Sequence, residues 1–168
     1  MTISMYSASV PVFVRMLTSL NKWLLKAEAH AEEKKFDVNV LLSARLAPDM
    51  LPFTKQIQIA CDGAKFGVAR LAGVEAPRFD DNEASFAELK ARIAKTLDFI
   101  NTAQPAQIDG TEAKDITVPQ RTGDLQMKGE AYLLYFVLPN LYFHVTTAYA
   151  LLRHNGVALG KGDFLGLK

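Results

Sequence analysis

The side chain with the greatest chemical potential in this chain is His144. It lies within PNLYFHVTTAYALLRHNGVALGKGDFLG, residues 139–166, where an almost wholly apolar stretch also contains Pro139. A neutral imidazole with a pKa near 6.5 can donate, accept or act as a general base, and a buried one must find a hydrogen-bond partner. The proline removes a backbone donor and crowds the preceding turn, costing about 3 kcal/mol in an exposed helix. It either kinks the helix or is absorbed by a local widening of the turn. Val137, Leu141, Ala148 and Leu151 share the face of His144. The plainest role for the ring is therefore a core histidine bonded to a carbonyl or a neighbouring side chain; the alternative is a group that lines a pocket.

Other catalytic patterns are sparse. Cys61 is the single cysteine, which excludes an internal disulfide, and it falls at a core-like position with no histidine near it in sequence. No GxSxG elbow exists, and the carboxylates read as scattered over solvated faces. The tail GVALGKGDFLG has two glycines around a lysine but lacks the GxxxxGK[ST] spacing and follows a helix rather than a strand. Gly156 is better read as the terminator of the last helix, with Phe164 and Leu165 folding back onto the body of the protein.

Four principal helices must position these residues. Between residues 10 and 31, Val10, Phe13, Val14, Leu17, Leu20, Leu24 and Ala27 recur with helical period, and Pro11 is tolerated in the first turn. A short helical piece near residues 38–44 precedes a second helix, which the sequence predicts to be capped by Asp49 and to hold Pro52 in its first turn. Arg45 then reads as a partner for Asp49. Phe53, Ile57, Ala60, Ala64, Val68 and Leu71 form the buried stripe, opposite Lys55, Gln58, Asp62 and Lys65, and Gly73 ends the helix. Ser85 with Glu88 is a capping box that opens a third helix over residues 86–103, with Glu88 and Arg92 as a surface pair. Residues 104–128 turn polar, and the alternation at Ile116/Val118 and Leu125/Met127 predicts a small hairpin about a turn at 119–124. The expected fold class is all-α: one domain over residues 1–168, a bundle with a long crossover carrying a β-hairpin before the last helix.

Composition narrows the class of partner. The 168 residues are 49% hydrophobic and carry 19 basic and 18 acidic side chains, a net charge of +1. No field exists to drive nucleic-acid binding. Residues 131–152 are free of formal charge over a length that exceeds the roughly 18 residues of a membrane span, yet Pro139, Asn140, His144 and four tyrosines argue for the central helix of a bundle. No membrane partner is expected. The N-terminus lacks the basic start of a signal peptide, and with one apolar cysteine the expected compartment is the cytoplasm. Tyr135, Tyr142 and Tyr149 recur every seven residues along one edge of the last helix. Core packing is the default for them, and a homodimer interface the alternative.

The run 139–166, together with ARLAPDMLPFTKQIQIACDGAK at 44–65, resembles a bacterial domain-of-unknown-function family in the DinB/YfiT-like superfamily of four-helix bundles. The resemblance spans nearly the whole chain and implies a DinB-like bundle. It also implies a question about metal, because better-studied members bind a divalent ion through one histidine on helix two and a pair at i and i+4 on the last helix. His144 matches the first of that pair, but Ala148 occupies the second position, and helix two reads Lys55, Gln56, Ile57 and Gln58 where the third ligand belongs. His154 lies about 15 Å further along the helix and roughly 80° away. His30 would have to approach from helix one. No metal ligands are assigned, and no cofactor is expected; zinc or nickel is the alternative. The resemblance then implies a pocket at the former metal position, lined by His144 with Gln56, Arg45 and Asp49 as candidate neighbours. The expected function is binding of a small molecule or partner by a bundle whose metal site is degenerate. The alternative is a metal-assisted or thiol-dependent transferase or hydrolase using His144.

Overall fold

A computed structural model describes residues 3–167. Helix α1 (Val10–Lys34) buries Val10, Phe13, Leu17, Leu20, Leu24 and Ala27 on one stripe, with Pro11 in its first turn. A 3₁₀ turn (Val38–Ser43) leads to α2 (Phe53–Ala72), which ends at Gly73 in the left-handed conformation, φ 71°. Helix α3 (Phe86–Ile100) is followed by the short α4 (Pro105–Ile108). Strands β1 (Asp115–Val118) and β2 (Leu125–Lys128) pair antiparallel, with Ile116 opposite Met127. The last long helix is built in three pieces: α5 (Gly129–Tyr132), a π-helical turn (Leu133–Val137) and α6 (Leu138–His154). A terminal turn, α7 (Lys161–Phe164), returns to α1.

Helix α2 is the central element, packed against both α3 and α6, while α1 covers α3 and α6 from the other side. The six residues of its predicted stripe, from Phe53 to Leu71, are all buried. Each contributes on the order of 1 to 3 kcal/mol by leaving water. Gly67 allows α2 to approach the π turn closely, since a Cβ there would lie 2.9 Å from Val137 Cγ1. The hairpin lays Ile116 and Val118 on the helices and leaves Leu125 exposed, which is how a two-stranded ribbon gains stability it lacks alone.

Pro139 is accommodated by widening rather than kinking. The Leu138 amide donates to the Leu133 carbonyl, five residues back, so the wide turn precedes the proline and places it in the first turn of α6, where a missing N–H costs little.

Several local expectations are corrected. The N-cap of α2 is Pro52, in extended conformation, and Asp49 lies exposed in the preceding turn, where the Met50 amide donates to the Ala47 carbonyl. Proline at 52 biases Leu51 away from helical geometry, so the helix cannot start earlier. Helix α3 ends at Ile100, ahead of Pro105. Its cap is Ser85, whose hydroxyl accepts from the Glu88 amide, but the Glu88 carboxylate reaches Ala84 N rather than the cap amide. Phe164 stacks on Trp23 at 5.8 Å, whereas Leu165 remains exposed.

Candidate functional site

His144 faces α2. Its Nδ1 lies 2.8 Å from Gln56 Oε1, and the ring is 8% exposed. Gln56 Nε2 donates to the Leu51 carbonyl at 2.9 Å, so the amide oxygen is the atom turned to the ring and Nδ1 carries the proton. Burial holds the His144 pKa below its ordinary 6.5, leaving the imidazole neutral at pH 7. The structure thus brings together two of the four candidate residues.

It separates the other two. Arg45 is exposed and its guanidinium donates to the Met50 carbonyl, not to Asp49, and Asp49 is exposed in its turn. His30 packs against Phe36 at 5.8 Å, beside the turn at Gly156. Tyr149 is likewise removed from the outer edge of the last helix: it packs edge-on against Trp23 and Phe164. Tyr135 and Tyr142 remain exposed. Tyr142 and Tyr149 are seven residues apart in the regular α6, and what parts them is the return of α7, whose Phe164 covers Tyr149 together with Trp23.

The donors present do not fit a metal centre. His144 offers only Nε2, Ala148 presents a buried methyl, and Gln56 is occupied by the imidazole and a carbonyl. Among the described residues, no group of three or more histidine, cysteine, aspartate or glutamate side chains is placed to hold an ion. A zinc site normally uses three such protein ligands.

A cavity of about 290 Å³ opens between α2, the π turn and the end of β1. Phe66, Tyr132, Phe136 and Val137 form its apolar wall. Tyr132 and Phe136 are stacked with centroids 5.8 Å apart. Asp62, Arg70, Gln120 and Asn140 supply the polar groups, and His144 is not among the lining residues. Asn140, one helical turn before His144, links the two regions. Arg70 Nη1 donates to the Tyr132 hydroxyl at 3.0 Å. Burial raises the phenol above its ordinary pKa, against the hydrogen bond and charge of Arg70.

Behind this wall is a charged cluster that periodicity did not reveal. Arg92 is fully buried and does not pair with Glu88; it reaches Asp62 at 3.0 Å, Asp81 at 3.0 Å and Glu83 at 2.9 Å. Gln58 and Lys65, expected on the solvated side of α2, are also buried: Gln58 donates to Glu83 and Lys65 pairs with Asp62. The extended segment between α2 and α3 folds over them, with Phe79 between Lys65, Lys95 and Arg92. Cys61 is buried beneath, its thiol pushed up to about 12 by burial against the weaker pull of Thr96 and Arg92. It is a core residue and no thiolate nucleophile. The signal for the cluster was the density of charge in residues 78–83, whose partners only the fold reveals.

No helix among the described residues is long and apolar enough to cross a membrane. No curated protein matches the chain. A crystal structure of a DinB family member protein from Shewanella denitrificans is 45% identical, covers 95% of this chain and 90% of that one, and superposes with a TM-score of 0.88. The family model described as Domain of unknown function (DUF1993) matches residues 5–165. With both the sequence family and the bundle agreeing over nearly its whole length, the chain belongs to the DUF1993 family and has a DinB-like helical fold.

Proposed function

We propose that this protein binds a small molecule in the cavity at the π turn and that the metal chemistry of the wider superfamily is absent from it. The observation that carries this reading is the cavity itself: aromatic on one wall, polar at its rim, and built where the last helix departs from α-helical geometry, as π turns at binding sites often do. Its volume is at the lower edge of ordinary ligand pockets, which begin near about 300 Å³. A transferase or hydrolase working through His144 is the displaced alternative. Against it stand the bond from that ring to Gln56 and the unsuitable donor set.

A fragment screen by thermal shift tests the proposal, with Gln120→Trp as the blocked control, because Gln120 is exposed on a turn and borders the cavity. Ligands should raise the melting temperature of the wild type and bind the variant at least about tenfold more weakly, a difference of about 1.4 kcal/mol. Stoichiometric zinc or nickel in untagged protein, lost in His144→Ala, would instead restore the metalloenzyme reading.

We also propose a homodimer through the outer face of the last helix, now without Tyr149. Leu134, Tyr135, Tyr142 and Phe143 all project outward there, with Tyr135 75% and Phe143 56% exposed. Aromatic side chains of this kind are enriched at subunit interfaces. Light scattering should give twice the chain mass, and Tyr135→Glu with Phe143→Glu should halve it. A wild-type monomer at high micromolar concentration rejects the interface.

A further inference from the structure

We infer that the cavity takes a small organic carboxylate with an aromatic or apolar body, anchored by Arg70; this rests on the binding reading above. Lys55 pairs with Asp81 at 2.9 Å, Lys65 with Asp62 at 2.9 Å, and Arg92 with Asp62, Asp81 and Glu83. Three cations therefore meet three carboxylates, and the cluster behind the cavity is neutral. Asp62, although it reaches the cavity, is held by two of those cations and does not present a free negative charge. Arg70 is different. Among the described residues no carboxylate lies within ion-pair distance of it, and its one side-chain hydrogen bond goes to the neutral Tyr132 hydroxyl.

The plain role for an arginine in the last turn of a helix is to offset the negative end of the helix dipole. Lys114 already does this for α2: its Nζ donates to the Arg70 and Leu71 carbonyls at 3.0 and 2.9 Å. That contact also removes the local negative potential that would repel an anion. The Arg70 guanidinium is meanwhile held over the Phe66 ring, 4.9 Å from its centroid, and 5.8 Å from that of Tyr132. A guanidinium fixed in this way has little side-chain freedom left to lose on binding, and its fork matches a carboxylate in a bidentate pair. Phe136 offers an apolar surface beyond it, and the Asn140 amide a further donor.

Phenylacetate, phenylacetamide and phenethylamine share one ring and differ in charge, so NMR titration of the three separates anchor from cavity. Wild type should bind phenylacetate at least about tenfold more tightly than phenylacetamide, as expected for a charge-assisted bidentate pair over a neutral one. Val118 and Val137 methyl resonances should report the binding. In Arg70→Met the preference should fall to about one, and Arg70→Lys should keep part of it. A wild-type ratio of one or less, or a preference that survives Arg70→Met, overturns the anchor while cavity binding stands. If none of the three compounds moves the cavity resonances, the binding reading fails with it.

Discussion

Replacing Arg92 by methionine should lower the free energy of unfolding by about 3 kcal/mol and the melting temperature by roughly 10 °C. The size follows from what the guanidinium leaves behind. Asp62 and Asp81 are partly solvated, with side chains 30% and 44% exposed, and their pairs count for little. Glu83 is 5% exposed and would keep a buried charge with Gln58 and its own backbone amide but no cation to satisfy it. Removing one partner of a buried pair costs about 3 to 5 kcal/mol. The lower end applies because Arg92 Nε and Gln58 Oε1 already lack partners among the described residues. Arg92 also donates to the Asp80 carbonyl at 3.2 Å, so the segment between α2 and α3 should exchange its amide hydrogens faster in the variant. Urea unfolding and hydrogen exchange check both effects; a loss below about 1 kcal/mol would show that water replaces the guanidinium.

The same cluster sets an acid limit. Burial pushes the carboxyls of Asp81 and Glu83 upward, but hydrogen bonds from Lys55, Gln58 and Arg92 outweigh it and hold both below the usual carboxylate range. Such groups stabilise the fold fully above their unfolded pKa, near about 4, and the gain is lost as pH falls through the folded values. His144 acts earlier on the way down. Its folded pKa is depressed, so the unfolded chain takes up the proton first and stability declines as pH drops below about 6.5. Arg92→Met should flatten the lower step and leave the upper one.

Gly129→Ala should cost about as much, roughly 3 kcal/mol, at a position with ordinary helical backbone. A Cβ at Gly129 would lie 2.0 Å from the Thr111 carbonyl oxygen and 3.0 Å from its carbon. These are backbone atoms that cannot rotate away. They are also tied in place, because Gly129 N donates to the Lys114 carbonyl at 2.8 Å and Glu130 N to the Glu112 carbonyl at 3.0 Å. Alanine's better helix propensity returns at most about 1 kcal/mol. The substitution should shift the urea midpoint without changing the slope, and Gly63→Ala, which meets only the Asn140 amide at 3.3 Å, should cost far less. Equal effects at the two positions would mean that the loop before the hairpin yields.

Much of the framework is legible in local sequence. Helical period marked the buried stripes of α1 and α2, Ser85 the start of α3, Gly73 the end of α2, and alternation the hairpin; each is a signal confined to a few neighbouring residues. The resemblance put Gln56 among the neighbours of His144, and the two are hydrogen-bonded, although neither lines the cavity. Arg92 was misread for the converse reason: on a helical wheel it borders Glu88, and nothing local shows that a segment from further up the chain will close over it. Asp49 failed as a cap because Pro52 and its neighbour decide where α2 begins.

By itself, then, the amino-acid sequence determined the long helices and their apolar stripes, because propensity, capping and periodicity act between residues a few positions apart, and the runs 44–65 and 139–166 carried the family resemblance. Only the tertiary structure decided that Lys65, Gln58 and Arg92 are interior, that Pro139 is absorbed by a π turn, and that the concave surface lies at Arg70 and Tyr132 rather than at His144. Burial and cavity shape are properties of surfaces brought together across the chain, and local sequence has no means of recording them.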